Sequence, residues 1–279
     1  MGTSSSYGGP KGKSPLLPDD FYDKNEPVDN PGADQDPSPV TPDDQEDPAT
    51  PNDLTPKYWS DTKTLTSKYA SGNTSDYKKP LSAHIKAYGG AGKASTSAKI
   101  GKTTTAKLGS FLSSLSTNGI KSTLDNYGIS YQNRSVDEVL GDLVNILAPT
   151  PDTKEDAVAR SAFLDAMEIL YNEISQNGGN IEILNNLNTQ TFSNIIKVYI
   201  SSYIFQKFTK DVETRFEKNA KSPENVLEKE QIIKEYIDGV VANTINKIGI
   251  ENVNFNSKTI MKQIDLIYQS CYDVIEGAL

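Results

Sequence analysis

The sequence predicts an all-α protein, a helical bundle preceded by a long disordered acidic, Pro-rich N-terminal tail. Three observations predict it. Eleven of the fifteen prolines fall in residues 1–60, where twelve carboxylates outnumber four lysines. Beyond residue 111 apolar residues recur at helical spacing between start and stop signals. No run alternates with the period of two that a half-buried strand requires. Residues 61–110 differ from both flanks, with nine lysines against Asp61 and Asp76 in a background of Gly, Ala, Ser and Thr. These shifts divide the chain into a tail over 1–56, a small basic helical region over 57–116 and an α-helical bundle domain over 117–279.

From Gly2 to Pro56 the chain strings together Ser-Pro, Asp-Pro and Thr-Pro steps among acidic residues. Each proline fixes φ, removes a donor and pushes the preceding residue out of the helical well. Too few bulky apolar residues are present to build a core, so the tail is expected to be disordered and partly polyproline-extended. Helical character begins at Lys57, where Tyr58, Trp59 and Leu65 lead to a break at Ser71-Gly72-Asn73. Leu81, Ile85 and Tyr88 then mark a second short helix, ended by Gly89-Gly90. Ala91 to Leu115 reads as one helix whose bulky residues gather at its end. Gly92, Gly101 and Gly109 count against it, each costing about 1 kcal/mol relative to Ala.

Beyond Gly119 the signals sharpen. Ser135-Val136-Asp137-Glu138 has capping-box spacing, Val139, Leu140, Leu143 and Leu147 share one face, and Pro149 and Pro151 close the element. Thr153 starts a helix to Gln176, with Phe163, Met167, Leu170, Tyr171 and Ile174 apolar, and Asn177-Gly178-Gly179-Asn180 stops it. A helix from Thr189 to Asn219 is apolar nearly all round in its first half and is expected to be central. Ser222 caps the next, with Pro223 at its first position. Its stripe runs from Ile233 to Ile248, and a last helix repeats the pattern through Ile260, Ile264, Ile267, Tyr268, Cys271 and Ile275. The expected architecture is roughly five or six long antiparallel helices preceded by smaller ones.

Composition excludes several chemistries. One cysteine, Cys271, permits neither an intramolecular disulfide nor a thiol-rich zinc site, and one histidine, His84, leaves too few ligands for most metalloenzymes. No apolar run approaches a bilayer span, and the N-terminus lacks the apolar stretch of a secretory signal, so no membrane contact and a cytoplasmic address are expected. Gly89-Gly90-Ala91-Gly92-Lys93 suggests a phosphate loop, yet Ala87 and Ala94 stand where that loop needs Gly and Ser or Thr. The acidic runs near Asp34 and Asp43 lack the turn glycine of a calcium loop. His84 sits on a short apolar helix face with no carboxylate nearby in sequence, and is read as structural. Asp152 with Glu155 reads as a solvated helix face. The chain is expected not to be an enzyme and to need no cofactor.

Two features point to partners. Lys86, Lys93, Lys99, Lys102 and Lys107 are interleaved with Thr and Ser, a pattern that suits phosphate contacts. No aromatic lies between Tyr88 and Phe111 to stack on bases. A nucleic-acid adaptor using segment 78–107, a solvated face, and a surface for the chain's own acidic tail or an acidic partner all remain open. The second feature is the leader Met1-Gly2-Thr3-Ser4-Ser5-Ser6, uncharged and small. Removal of Met1 exposes the Gly2 amine, whose pKa near ~8 leaves part of it neutral and nucleophilic at cellular pH. Met1-Gly2-x-x-x-Ser6 also fits the formal myristoylation pattern, although the acidic tail lacks the basic patch that stable anchoring by one chain requires.

Met1-Gly2-Thr3-Ser4, then Gly9-Pro10 and Ser14-Pro15-Leu16-Leu17-Pro18, resemble the N-terminus of the QatB family of bacterial QatABCD antiphage defence systems. The stretch from Tyr69 through Leu81, His84 and Tyr88-Gly89-Gly90 to Leu115 resembles that family's middle region. Asp19-Asp20-Phe21 departs from the Pro-Trp step common there. The resemblance implies a non-enzymatic defence subunit whose residues 1–18 form a recognition peptide. It implies that a QueC-like partner of the QatC type grips Met1, Thr3, Ser4, Ser6, Gly9 and Pro10 and attaches a 7-deazaguanine group to Gly2. An ATPase and a TatD-like nuclease of the same system are the further partners it implies.

Overall fold

The longest helix sits at the centre, as its all-round apolar first half requires. The computed structural model describes residues 51–278, without the side chains of 51–55 and 186. Among them are nine α-helices and no strand: α1 Pro51–Ala70, α2 Lys78–Ala87, α3 Ala91–Ser97, α4 Lys99–Asn126, α5 Val136–Leu147, α6 Lys154–Gln176, α7 Thr189–Asn219, α8 Pro223–Ile248 and α9 Ile260–Glu276. Helix α7 packs against α1, α4, α6 and α8, while α9 packs against α2, α3, α4 and α8. Ile195, Ile196, Tyr199, Ile200 and Tyr203 along α7 are wholly buried. The all-α class is as the periodicity predicts. Residues 1–50 of the tail, the leader among them, lie outside the described residues.

The expected caps form. Ser135 and Glu138 make a reciprocal capping box on α5, and Thr153 and Asp156 make another on α6. The Ser222 side chain accepts the Asn225 amide with Pro223 in the first turn of α8. The boundaries of α6 and α7 match the expected ones. Cys271 is fully buried on its stripe, and burial pushes its thiol up to about 12.

Four local expectations are corrected. Helix α1 starts at Pro51 rather than Lys57 and carries Pro56 within it; a proline at the first helical position loses no hydrogen bond. The single helix expected over Ala91–Leu115 is two, broken at Ala98, and the second continues to Asn126 across a kink at Gly119. Gly119 has φ 75°, and the Asn185 side chain accepts the Ile120 amide at 2.7 Å, capping the helix as it restarts. That asparagine lies in a 3-10 turn over Ile181–Asn186, for which the apolar pattern has no sign. Gly101 and Gly109 are contact points rather than weak spots. A Cβ on Gly101 would stand 2.6 Å from the Tyr203 ring, and one on Gly109 2.0 Å from that of Phe255. Tyr171 and Ile248, expected on apolar faces, are about two-fifths exposed at 39% and 41%.

Candidate functional site

Helix α2 turns His84 and Tyr88 toward α7, because these residues lie four apart on one face. There they meet Asp211. His84 Nε2 lies 2.9 Å from Asp211 Oδ2, and Tyr88 Oη donates to the same oxygen at 2.8 Å. Lys154, the first residue of α6, donates to Asp211 Oδ1 at 2.5 Å and to the Lys210 carbonyl at 3.0 Å. An ionised carboxylate only accepts, so Nε2 carries the proton. The imidazole is enclosed edge-on by Trp59, Tyr88 and Phe208 at centroid distances of 5.7, 5.2 and 5.2 Å. His84 thus does have a carboxylate partner, contrary to the sequence reading, supplied from 127 residues away.

A second cluster adjoins the first. Lys207, one turn before Asp211, donates to Ser97 Oγ at 2.9 Å and lies over the Tyr88 ring at 4.8 Å. Glu155 accepts from Tyr203 Oη at 2.8 Å and from the Ile100 amide at 3.0 Å. It therefore caps the N-terminus of α4, whose own cap residue Ala98 has no side-chain oxygen to offer. In the same way Glu276 of α9 accepts the Ala91 amide at 2.9 Å and caps α3. Glu155 is thus a structural acceptor and not the solvated carboxylate that its sequence neighbourhood suggested. Tyr88, Ser97, Lys154, Glu155, Lys207 and Asp211 surround an open cleft of about 270 Å³.

Burial and charge set the protonation of this cleft. Burial pushes the Asp211 carboxyl up, but the hydrogen bonds from His84 and Lys154 outweigh it and hold the group well below the usual carboxylate range. Burial holds His84 below its ordinary value against the pull of Asp211, and the Lys207 and Lys154 charges act in the same sense. Burial likewise lowers Lys207, opposed by Glu155 and Asp211. The result is a neutral imidazole donating to a carboxylate anion, with two ammonium groups at the rim. Such an arrangement ties α2, α6 and α7 together and leaves Lys207, with hydrogens to spare beyond its Ser97 bond, facing the cleft. Among the described residues, no group of three His, Cys, Asp or Glu could hold a metal ion, and no helix is long and apolar enough to cross a membrane.

The residues singled out in the sequence are not gathered into this cleft. Met1, Gly2, Thr3, Ser4, Ser6, Gly9 and Pro10 lie outside the described residues. Of the basic set, Lys93, Lys99 and Lys107 are exposed and Lys86 is half-buried. Lys102 is 8% exposed, and its ammonium meets Asp265 Oδ1 at 2.5 Å, with Ser95 Oγ donating to the same oxygen at 2.8 Å. Its neighbours Lys99 and Lys107 escape this because they lie in line with exposed Thr103 at intervals of four residues, a line centred about a quarter-turn round α4 from buried Lys102. The Asp211 and Glu155 clusters went unseen because their members are scattered over α2, α3, α4, α6 and α7.

Comparison with known families then bears on the whole of α3 to α9. A family model described as Qat anti-phage system associated protein QatB matches residues 89–275, two thirds of the chain. The chain belongs to the QatB family. It is therefore a component of an anti-phage defence system. No curated protein and no solved structure matches it. The match begins at Gly89, so the QatB region contains Ser97, Lys154, Glu155, Lys207 and Asp211 of the cleft, while His84, Tyr88 and the leader precede it.

Proposed function

We propose that this QatB protein is a non-enzymatic subunit whose N-terminal peptide is recognised by a QueC-like partner enzyme of the Qat system and modified at Gly2 with a 7-deazaguanine group. Membership of the QatB family carries the reading, since it places the chain beside other components of one defence system. The leader supports it chemically. Gly2 is flanked by small, uncharged residues and followed by Gly9-Pro10. Once Met1 is removed, an unhindered α-amine titrating near ~8 can act as a nucleophile where a lysine, near ~10.4, is almost wholly protonated. QueC-type chemistry activates a deazapurine carboxylate with ATP, and the Gly2 amine then attacks the activated carbonyl in place of ammonia, forming an amide and releasing the activating group. The test is intact mass. Co-expression with the QueC-like partner is expected to add one deazapurine-carbonyl mass to the N-terminal peptide, and prior acetylation of the Gly2 amine is expected to abolish it. An unchanged mass with an active partner present refutes the reading, and a lipid mass at Gly2 points to myristoylation instead.

A second reading, a nucleic-acid adaptor using the basic segment, is favoured by one observation: Lys99, Thr103 and Lys107 form an exposed line on α4, with Lys93 also exposed. It predicts steeply salt-dependent DNA binding that Lys93→Ala, Lys99→Ala and Lys107→Ala together remove. Lys102→Ala, at a lysine already paired with Asp265, is expected to leave that binding unchanged.

A further inference from the structure

Between the second half of α1 and the last turns of α7 runs an open groove of about 410 Å³. Lys63 and Lys68 from α1 and Arg215 from α7 line it, and every other side chain in its wall is a serine, threonine or asparagine. Among the described residues, no carboxylate pairs with any of these three cations. Lys102 at the α4–α9 contact and Lys154 at the cleft differ from them: the first is answered by Asp265 and the second by Asp211. Lys221 adds a fourth cation at one end, its Nζ 3.7 Å from where a Cβ on Gly72 would stand.

The walls are tied together. Asn219 Nδ2 donates to Ser67 Oγ at 3.3 Å and to the Arg215 carbonyl at 2.8 Å, so α1 and α7 present their charges from one frame. In a chain of net charge −9 this is a concentration of unanswered positive charge, and its field favours an anionic partner. The hydroxyls and amides around the cations can donate to carboxylate oxygens between the ion pairs. No aromatic ring lines the groove, so it offers no platform on which the bases of a single strand could stack. A row of carboxylates on an extended backbone meets both conditions.

We infer that this groove docks an acidic, extended segment of a partner protein, its carboxylates paired with Lys63, Lys68 and Arg215. The test uses the full chain and a fluorescein-labelled oligo-glutamate peptide of about ten residues, followed by anisotropy, with oligo-glutamine and oligo-thymidine of the same length as comparisons. Binding of the glutamate peptide alone, weakening as salt rises, is expected. Lys63→Glu with Arg215→Glu is expected to weaken it about tenfold or more, whereas Lys247→Glu, on an exposed lysine in the last turn of α8, is expected to change it less than about twofold. Because Lys63 and Lys247 are exposed and Arg215, half-buried, lines an open groove, circular dichroism should be unchanged. No binding by the wild-type chain, or equal loss in the Lys247→Glu control, overturns the inference. Tighter binding of oligo-thymidine through the same residues also overturns it, in favour of a nucleic-acid face. Peptide binding that appears only when Asp43, Asp44, Glu46 and Asp47 are neutralised together overturns the partner assignment, in favour of an occupant from this chain.

Discussion

Asp211 holds three donors, and the cost of losing each end of that arrangement differs because the donors differ in exposure. His84 is enclosed and Tyr88 half-buried, whereas the Lys154 side chain is 58% exposed. Asp211→Ala strips the acceptor from one enclosed and one half-buried donor and is expected to destabilise the fold by about 3 kcal/mol. Lys154→Ala removes only a solvent-screened partner and is expected to cost less than about 1 kcal/mol; urea unfolding of the two variants checks the contrast. The single histidine gives a pH signature. His84 is held below its ordinary value of 6.5, so below that pH the unfolded chain binds a proton that the folded chain refuses. Stability fully present above pH 6.5 is then lost as pH falls, by up to about 1.4 kcal/mol per unit. Urea midpoints measured between pH 7 and 5.5 should fall for the wild type and stay nearly level for His84→Gln, whose amide can still donate to Asp211. None of this was legible beforehand. His84 and Asp211 are 127 residues apart, and no local spacing announces a partner at that distance.

At the level of elements, local rules served well wherever both signal and partner lie within one turn. Ser135, Thr153 and Ser222 were readable as caps because an N-cap side chain bonds a backbone amide two or three residues on. They failed for α3 and α4, whose caps Glu276 and Glu155 come from other helices. The glycines divide in the same way. Gly101→Ala and Gly109→Ala raise helix propensity but drive a methyl into the rings of Tyr203 and Phe255, and each is expected to destabilise by roughly 1–3 kcal/mol. Gly141→Ala in α5 and Gly239→Ala in α8 meet nothing within 4 Å, and each is expected to stabilise by up to about 1 kcal/mol. Thermal unfolding of the four single variants should show the two signs. A reading by propensity alone assigns all four the same one.

For the molecule as a whole, α7 is the element that the others cover. Its buried residues from Ile195 to Ile204 should show the slowest amide exchange of the chain, close to the rate set by global unfolding. Helices α2 and α3 contact α9, and α1 contacts α7, so their protected amides are expected to exchange in the same cooperative opening. The compositional boundary at 116/117 falls inside α4, three residues before the kink at Gly119. Hydrogen exchange that instead releases 57–116 well before 117–278 would mark that region as a separate cooperative unit. The all-α class, the course of α5 to α9 and the burial of Cys271 were determined by the sequence alone, since helical periodicity and capping are encoded within a few residues of where they act. Which lysines of the basic stretch are free, which carboxylates cap which helices, and that α1 and α7 share one cationic groove were decided only by the tertiary structure. Those outcomes depend on which faces of distant helices meet, and a one-dimensional pattern carries the faces but not their partners.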